Sequence, residues 1–240
     1  MVKFTVSIKY RNIKVCGLTS IDDARAAVWL GADLLGMVMH PKSPRFCEPE
    51  IAQKIIQSCS FKPCVLVFAD NEIDYAKELI SHLDFNLVYF QAPSESKLYK
   101  WFCENYSFDK IIPVYSVPEN FADKGSFAKP LGGEIDQFKN HPWIILDTGG
   151  VVSKAGETLY GGTGKTFDWN LVRNLNRKYF LAGGLKPDNI YEAMDITNAP
   201  AYDVSSGIES TPGKKDLTKM KRFILTIREY DKKTNEGAHG

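Results

Sequence analysis

Residues 34–39 read LLGMVM, an apolar run without a charged or polar side chain. A strand with one solvated face alternates apolar and polar residues, so an unbroken apolar run is typical of a strand buried on both faces. Residues 21–30, just before it, carry apolar side chains at helical spacing, and Gly31 follows at a position where helices commonly end. A helix that leads into a doubly buried strand predicts a parallel sheet covered by helices.

The same alternation recurs along the chain from Ile13 onward. Eight short apolar runs are separated by helical patterns or loops, which predicts an α/β protein with a single (β/α)8 TIM barrel over residues 13–230. A doubly wound open sheet is the alternative fold. Residues 1–12 are expected to form an N-terminal extension, and residues 231–240 a polar, disordered C-terminal tail. The predicted strands are residues 13–16, 34–39, 64–68, 87–90, 111–114, 143–146, 179–182 and 201–204.

The predicted helices lie between these strands. One opens at residues 48–50, where Pro49 suits a first helical turn, and a sixth helix is expected to begin around Asp168. Residues 115–131 have no clear period, so the helix expected there has no definite boundary. The remaining helices are predicted at residues 21–30, 72–82, 95–104, 188–196 and 217–230.

The composition excludes several classes of protein. Thirty basic and 29 acidic residues leave a net charge of +1, which gives no electrostatic footprint for nucleic acid or an anionic membrane surface. No apolar run approaches the roughly 18 residues that span a bilayer. The first residues lack the apolar core of a signal peptide, so we expect a cytoplasmic protein. The sequence gives no sign of an obligate protein partner.

Cysteine and histidine spacing argues against disulfide and metal frameworks. The five cysteines are odd in number and include no C-x2-C pair, and the four histidines share no ligand spacing. We therefore expect no metal site. The cysteines are Cys16, Cys47, Cys59, Cys64 and Cys103.

Residues that follow the predicted strands are the candidates for chemistry, because barrel enzymes build their active sites at the carboxyl ends of the strands. Cys16 ends the first strand and Asp147 follows the sixth. A free cysteine is often only a small buried hydrophobe, and a strand-end aspartate often only caps a turn. If both face one cavity, a thiolate and a protonated carboxylic acid form a base and acid pair. That pair needs a thiol pKa lowered by nearby cations and a carboxyl pKa raised by burial.

Two glycine turns follow the seventh and eighth strands. Backbone N–H groups at Gly183-Gly184 and at Ser205-Ser206-Gly207 can approach an anion closely, and the helices expected after them would direct their positive ends at it. This favours a phosphate site over simple tight turns, which glycine also serves. Residues 161–166, GGTGKT, resemble the end of a Walker A loop, but the pattern fails at Leu159. We interpret this segment as a lid over a phosphorylated substrate, with Lys165 as a candidate contact.

Five separated motifs together resemble the phosphoribosylanthranilate isomerase family of tryptophan biosynthesis, whose members are (β/α)8 barrels. The resemblance covers about residues 13–227. The motifs are KVCGLTSIDDA from Lys14, GADLLGMVMHPKSPR from Gly31, GGTGKTFDW from Gly161, LAGGLKPDNI from Leu181 and DVSSGIESTPGKKD from Asp203.

This resemblance implies an Amadori rearrangement of N-(5-phosphoribosyl)anthranilate to 1-(2-carboxyphenylamino)-1-deoxyribulose 5-phosphate, without a cofactor. Cys16 would be the general base and Asp147 the general acid. Arg45 would pair with a substrate anion, expected to be the anthranilate carboxylate, and Asp203 would orient the site. The phosphate would lie against Gly183, Gly184, Ser205, Ser206 and Gly207.

The chain departs from the family pattern in three places. Gln91 stands where most members have histidine and would form one wall of the substrate pocket, the loop after Asp147 is longer than usual, and residues 115–131 do not follow the pattern. Two other functions stay open. Indole-glycerol-phosphate synthase chemistry would need a catalytic lysine on a barrel strand, for which the pattern offers no convincing candidate. The other is a non-catalytic barrel that binds a sugar phosphate.

Overall fold

A computed structural model describes residues 10–83, 87–117, 131–148, 151–152, 158–159, 164–173 and 175–237. Eight parallel strands pair side by side, and the last pairs with the first, so the sheet closes into a barrel. This confirms the predicted (β/α)8 TIM barrel and excludes the open sheet. The barrel strands are β1 Asn12–Val15, β2 Leu34–Val38, β3 Cys64–Val67, β4 Val88–Pro93, β5 Ile111–Ser116, β6 Ile144–Asp147, β9 Tyr179–Leu181 and β10 Ala201–Val204.

Two short antiparallel hairpins lie outside the barrel. β7 (Val151–Val152) pairs with β8 (Thr158–Leu159) in the loop after β6. β11 (Glu209–Thr211) pairs with β12 (Lys214–Lys215) directly after β10. The sequence pattern predicts neither, because strands of two or three residues are too short to show a period. The second hairpin carries charged residues back to the barrel mouth.

Seven α-helices are described: α1 Ile21–Leu30, α2 Pro49–Ser58, α3 Ile73–Ser81, α4 Lys97–Asn105, α5 Leu131–Ile135, α6 Ile190–Thr197 and α7 Leu217–Gly237. The boundaries of α1 agree with the prediction because both of its caps are explicit in the sequence. The Ser20 side chain accepts a hydrogen bond from the Asp23 amide, and Gly31 adopts a left-handed φ of 107°. Of the irregular stretch 115–131, residues 118–130 lie outside the described part of the chain.

The sixth predicted helix is wrong in type. A single 3-10 turn, Trp169–Val172, occupies this place, and the Asp168 carboxylate caps it by accepting from the Asn170 amide. Trp169 and Val172 are both buried, and a spacing of three residues matches the three-residue repeat of a 3-10 turn.

The predicted disordered tail is also wrong for residues 231–237, since α7 continues to Gly237. Asp231 is only 2% exposed and accepts a hydrogen bond from the Arg11 amide at 2.9 Å, and its carboxylate also forms an ion pair with the Arg11 guanidinium. An ion pair between Asp231 and Arg11, the residue before β1, therefore anchors the last turns of the helix. Residues 238–240 lie outside the described part of the chain. Among the described helices, none is long and apolar enough to cross a membrane.

Two apolar layers enclose the strands, one between the barrel and its helices and one inside the barrel. On β1, Ile13 and Val15 belong to the outer layer, so Lys14 and Cys16 face the lumen. Side chains two positions apart on a strand point the same way, so a polar residue two positions after a lumen residue also faces the lumen, closer to the barrel mouth. The inner layer consists of Leu34, Val65, Tyr89, Ile112, Trp143, Ile145, Phe180, Ala182 and Ala201.

Candidate active site

Four predicted residues reach the barrel mouth from four different strands. Cys16 lies one residue beyond β1, and Asp147 is the last residue of β6. Gln91 and Asp203 lie within β4 and β10, two positions after Tyr89 and Ala201 of the inner layer. The strand alternation therefore turns all four side chains into the same lumen. Gln91 was expected to follow its strand, but β4 continues to Pro93.

Lys14 joins this group, although the sequence pattern does not predict it. Its Nζ lies 2.9 Å from Asp203 Oδ2, and the Lys14 side chain is fully buried. Burial alone would lower the pKa of Lys14, but the charges of Asp203 and Cys16 outweigh it and hold that pKa above its ordinary value. A permanent cation therefore lies at the base of the mouth. The sequence pattern offers no convincing catalytic lysine on a barrel strand, and Lys14, although it lies on β1, is fully buried and paired with Asp203.

The Cys16 thiol is buried against β2. A side chain at Gly36 would not fit, because an added Cβ would lie 2.9 Å from Cys16 Sγ. Burial raises the pKa of the Cys16 thiol, Asp203 adds to this rise, and the cations Lys14 and Lys215 oppose it without reversing it. The expected lowering of this pKa is therefore wrong, because desolvation outweighs the two cations.

The Asp147 carboxyl behaves as expected for an acid. Burial raises its pKa to about 6, the neighbouring Asp203 charge adds to the rise, and the Thr148 amide and Lys14 oppose it. The Thr148 amide donates to Asp147 Oδ1 at 2.8 Å. Gly183 completes this corner, since its φ of 85° and a Cβ position 2.0 Å from Thr148 Oγ1 exclude any larger residue.

The two glycine turns lie against each other. An added Cβ at Gly207 would lie 1.9 Å from the Leu185 carbonyl oxygen, so only glycine allows this approach. Among the described residues, no acceptor takes a hydrogen bond from the amides of Gly183, Gly184, Ser206 or Gly207. The helices after these turns begin close to their predicted positions, α6 at residue 190 and α7 at residue 217, and a three-residue 3-10 turn follows β10 directly.

Three polar side-chain atoms at the mouth lack a protein hydrogen-bond partner among the described residues. They are Gln91 Oε1, Asp203 Oδ1 and Ser205 Oγ. Buried polar atoms are usually paired in folded proteins, so three such atoms around one opening favour a site for a polar ligand.

Arg45, which the sequence predicts to pair with a substrate anion, also pairs with a carboxylate of the protein. Its guanidinium is engaged by Glu209 of β11, at 3.0 Å from Nε to Oε1 and 2.8 Å from Nη2 to Oε2. Lys215 of β12 donates to the same carboxylate at 2.8 Å. The motif that begins at Asp203 contains both partners, but the sequence pattern assigns them no role, because the pairs join residues 164 and 6 positions apart through a hairpin too short to predict.

The structure describes only part of the proposed lid, including Lys165. Lys165 is exposed, and its carbonyl oxygen accepts a hydrogen bond from Thr148 Oγ1 at 2.9 Å, which ties this segment to the end of β6. Residues 149–150, 153–157 and 160–163 of the loop lie outside the described part of the chain. The interpretation of this segment as a lid stays a prediction.

The mouth at the carboxyl ends of the barrel strands carries a thiol, a carboxyl of raised pKa and two glycine turns. This is the architecture of a TIM-barrel enzyme for an anionic substrate. A family model described as N-(5'phosphoribosyl)anthranilate (PRA) isomerase matches residues 13–226. The chain belongs to this family.

Curated relatives and solved structures agree with this membership. The N-(5'-phosphoribosyl)anthranilate isomerase of Legionella pneumophila (strain Corby) is 35% identical over 218 residues, which cover 90% of this chain and 96% of the relative. The relative from Aquifex aeolicus is 33% identical, over 89% of this chain and 96% of its own. The crystal structure of the Thermotoga maritima phosphoribosyl anthranilate isomerase has a TM-score of 0.70 and 33% identity, over 91% of this chain and 99% of its own.

Proposed function

We propose that the protein isomerises N-(5-phosphoribosyl)anthranilate to 1-(2-carboxyphenylamino)-1-deoxyribulose 5-phosphate in tryptophan biosynthesis, with Asp147 as general acid and Cys16 as general base. The observation that carries this proposal is the carboxyl of Asp147, whose pKa of about 6 lets it hold a proton near neutral pH in the same lumen as a thiol. A related structure, 29% identical with a TM-score of 0.68, is a complex of phosphoribosyl anthranilate isomerase with the reduced form of this product.

Ring opening is the task of Asp147. Its proton goes to the furanose ring oxygen while the C1–O bond breaks, and the anthranilate nitrogen donates its lone pair to form a protonated Schiff base. Burial favours the protonated carboxyl, and the Thr148 hydrogen bond fixes its direction. The nitrogen acts as the electron sink, so the chemistry calls for no cofactor.

Proton abstraction is the task of Cys16. The thiolate removes the C2 proton, and the electron pair of that bond neutralises the Schiff base to give an enolamine. Tautomerisation then adds a proton to C1 and removes one from the C2 hydroxyl, which yields the ketose and lets both side chains return to their starting states. Lys14 supports this step because it is the buried cation that lowers the pKa of the thiol most.

Substrate anions are assigned to two other parts of the mouth. The uncommitted amides of Gly183, Gly184, Ser206 and Gly207 bind the phosphate, with Ser205 at its edge, and Arg45 binds the anthranilate carboxylate. Gln91 offers an unpaired amide oxygen from β4, which lies across the barrel from β10. This oxygen can accept a hydrogen bond from a hydroxyl or N–H of the substrate. Asp203 orients Lys14 through their ion pair.

A fluorescence assay tests the proposal. Freshly made phosphoribosylanthranilate should lose its anthranilate fluorescence with the wild-type protein, while Cys16→Ala and Asp147→Asn should each lower turnover by about 10²-fold or more. Both variants should retain the affinity of the wild-type protein for the reduced product. Near-normal turnover by either variant would remove that residue from its role, and binding without turnover by the wild-type protein would favour the non-catalytic alternative.

Lys14 is a lysine on a barrel strand, as indole-glycerol-phosphate synthase chemistry would need, but it is not accessible to a substrate. The Lys14 ammonium is fully buried and held by Asp203, so it lies beneath the mouth rather than in it. A second assay distinguishes the two reactions: decarboxylative ring closure of 1-(2-carboxyphenylamino)-1-deoxyribulose 5-phosphate would release carbon dioxide and form an indole, whereas the proposed isomerase should release none.

A further inference from the structure

The Arg45 guanidinium is held along one edge. Glu209 accepts from its Nε at 3.0 and 3.2 Å and from its Nη2 at 2.8 Å. This is the side-on arrangement, in which a carboxylate occupies the Nε–Nη2 edge of the planar fork and leaves the Nη1–Nη2 end for a second anion. Glu209 therefore fixes the direction of Arg45 without using all of its donors.

A second cation balances Glu209. Lys215 Nζ lies 2.8 Å from Glu209 Oε1, with the Lys215 side chain fully buried and that of Glu209 4% exposed. Burial alone would raise the pKa of Glu209, but Arg45 and Lys215 outweigh it and hold that pKa below its ordinary value. Two cations and one carboxylate leave one net positive charge, so the Glu209 pairing does not cancel the attraction of Arg45 for an anion.

The cluster lies directly against the candidate base. The Arg45 stem crosses Gly17, the residue after Cys16, where an added Cβ would lie 2.9 Å from Arg45 Cδ and 2.8 Å from Ser205 Oγ. Lys215 Nζ is also 3.4 Å from the Ser205 carbonyl oxygen. The Arg45 stem thus lies beside the residue that follows the candidate base and close to the turn after β10.

We propose that Glu209, backed by Lys215, is a positioning residue that aims the free end of Arg45 at the substrate's aromatic carboxylate and so sets the preference for a carboxylated aniline. This inference rests on the proposed function, since it takes the substrate to be an anthranilate. It assigns a role in substrate specificity to two residues of the DVSSGIESTPGKKD motif, Glu209 and Lys215, to which the sequence pattern assigns none.

The test compares two unreactive ligands. One is the reduced product, and the other is the same compound with the ring carboxylate replaced by hydrogen. Wild-type protein should bind the carboxylated ligand more tightly, and Glu209→Gln should lower this preference about tenfold, since one well-placed charged hydrogen bond differs from a misaligned one by roughly that factor. The affinity for the ligand without the carboxylate should stay within about twofold, because it depends on the phosphate and the polyol.

Three further variants make the result decisive. Glu229→Gln on the exposed face of α7 is the matched control and should leave the preference unchanged. Glu209→Asp keeps the charge but shortens the side chain by one methylene, so it should lower the preference less than Glu209→Gln. This variant also tests the inference if Glu209→Gln does not fold. Lys215→Met should lower the affinity for the carboxylated ligand selectively.

Two outcomes would overturn the inference. If the folded Glu209 variants weaken the binding of both ligands equally, the role of the cluster is purely structural. If the preference for the carboxylated ligand is unchanged, Glu209 does not aim Arg45. Arg45→Ala separates this inference from the proposed function. If that variant keeps the preference while Cys16→Ala and Asp147→Asn still abolish turnover, the chemistry stands and the carboxylate lies elsewhere.

Discussion

Lys14 Nζ lies 2.9 Å from Asp203 Oδ2, inside the barrel and directly below Cys16 and Asp147. This ion pair influences both candidate reacting groups: Lys14 lowers the pKa of the thiol and of the carboxyl, and Asp203 raises both. Lys14 lowers the pKa of the Cys16 thiol both by its charge and by a hydrogen bond, whereas it lowers the pKa of the Asp147 carboxyl by its charge alone.

Replacing Lys14 with methionine should lower kcat by about 10²-fold, because the thiolate loses its main buried cation. The same change should cost roughly 3–5 kcal/mol of unfolding free energy, since Asp203 becomes a buried charge without a partner. Urea unfolding and the fluorescence assay measure the two effects.

The double variant Lys14→Met with Asp203→Asn separates them. Removing both charges should recover much of the lost stability, because no unpaired charge remains in the lumen. Turnover should stay low. Recovery of both together would mean that Lys14 serves the fold alone.

The position of the candidate active site could be predicted from the sequence, but its electrostatics could not. Cys16 ends one apolar run, Asp147 follows another and Asp203 lies one residue before the end of a third, so their place at one rim follows from the barrel alone. Lys14 interrupts its strand with a charge, and it is buried only because Asp203, 189 positions away, supplies the opposite charge. The direction of the Cys16 shift depends on how far burial outweighs two cations, and a linear pattern does not contain that comparison.

The same limit applies to the ends of the chain and to Arg45. A run of polar residues after Tyr230 predicts a disordered tail, yet Asp231 is held by an arginine 220 positions earlier. Arg45 is identified by its motif, but Glu209 and Lys215 join it through a hairpin whose strands have three and two residues. In each case the missing information is a long-range charge pair rather than a local preference.

The pH profile of kcat/KM should rise with pH up to about 6 and then level off. The productive state has a protonated Asp147 and a deprotonated Cys16, and the carboxyl is the more acidic of the two. Below about pH 6 both hold protons, so raising the pH increases the thiolate fraction. Above it, loss of the Asp147 proton offsets the gain in thiolate. A rise that continued through pH 8 would contradict this pairing.

Asp231→Ala should lower the free energy of unfolding by about 2–4 kcal/mol, because it leaves the Arg11 guanidinium without its buried partner. The pair lies at the amino end of β1, away from the mouth, so turnover per folded molecule should not change. Glu236→Gln, near the end of α7, is the control and should have an effect below about 0.5 kcal/mol. Equal stability of the Asp231 variant and the wild type would show that this ion pair does not anchor α7.

Gly183→Ala should abolish most of the activity. Its Cβ would lie 2.0 Å from Thr148 Oγ1 and 2.9 Å from Asp147 Oδ1, at a φ of 85° that alanine rarely adopts. The clash should displace the acid and cost about 1–3 kcal/mol of stability. Gly133→Ala in α5 is the matched control, since nothing lies within 4 Å of its added Cβ, and it should stabilise the protein by about 0.5–1 kcal/mol. Full activity in the Gly183 variant would show that Asp147 needs no such support.

The buried carboxylate of Asp147 should lower the free energy of unfolding at neutral pH. Its folded-state pKa of about 6 exceeds the ordinary 3.8, so the unfolded chain releases this proton more readily. Its contribution to stability is therefore most favourable below pH 3.8, falls as the pH rises to about 6 and is constant above that. Asp147→Asn keeps an oxygen for the Thr148 amide but removes the buried charge, so at pH 8 it should be about 2–3 kcal/mol more stable than the wild type. The gain should shrink steadily on acidification from about pH 6, which urea unfolding at several pH values measures. A variant no more stable than the wild type at pH 8 would mean that the carboxylate is well solvated, and with that the physical basis for its role as an acid would be lost.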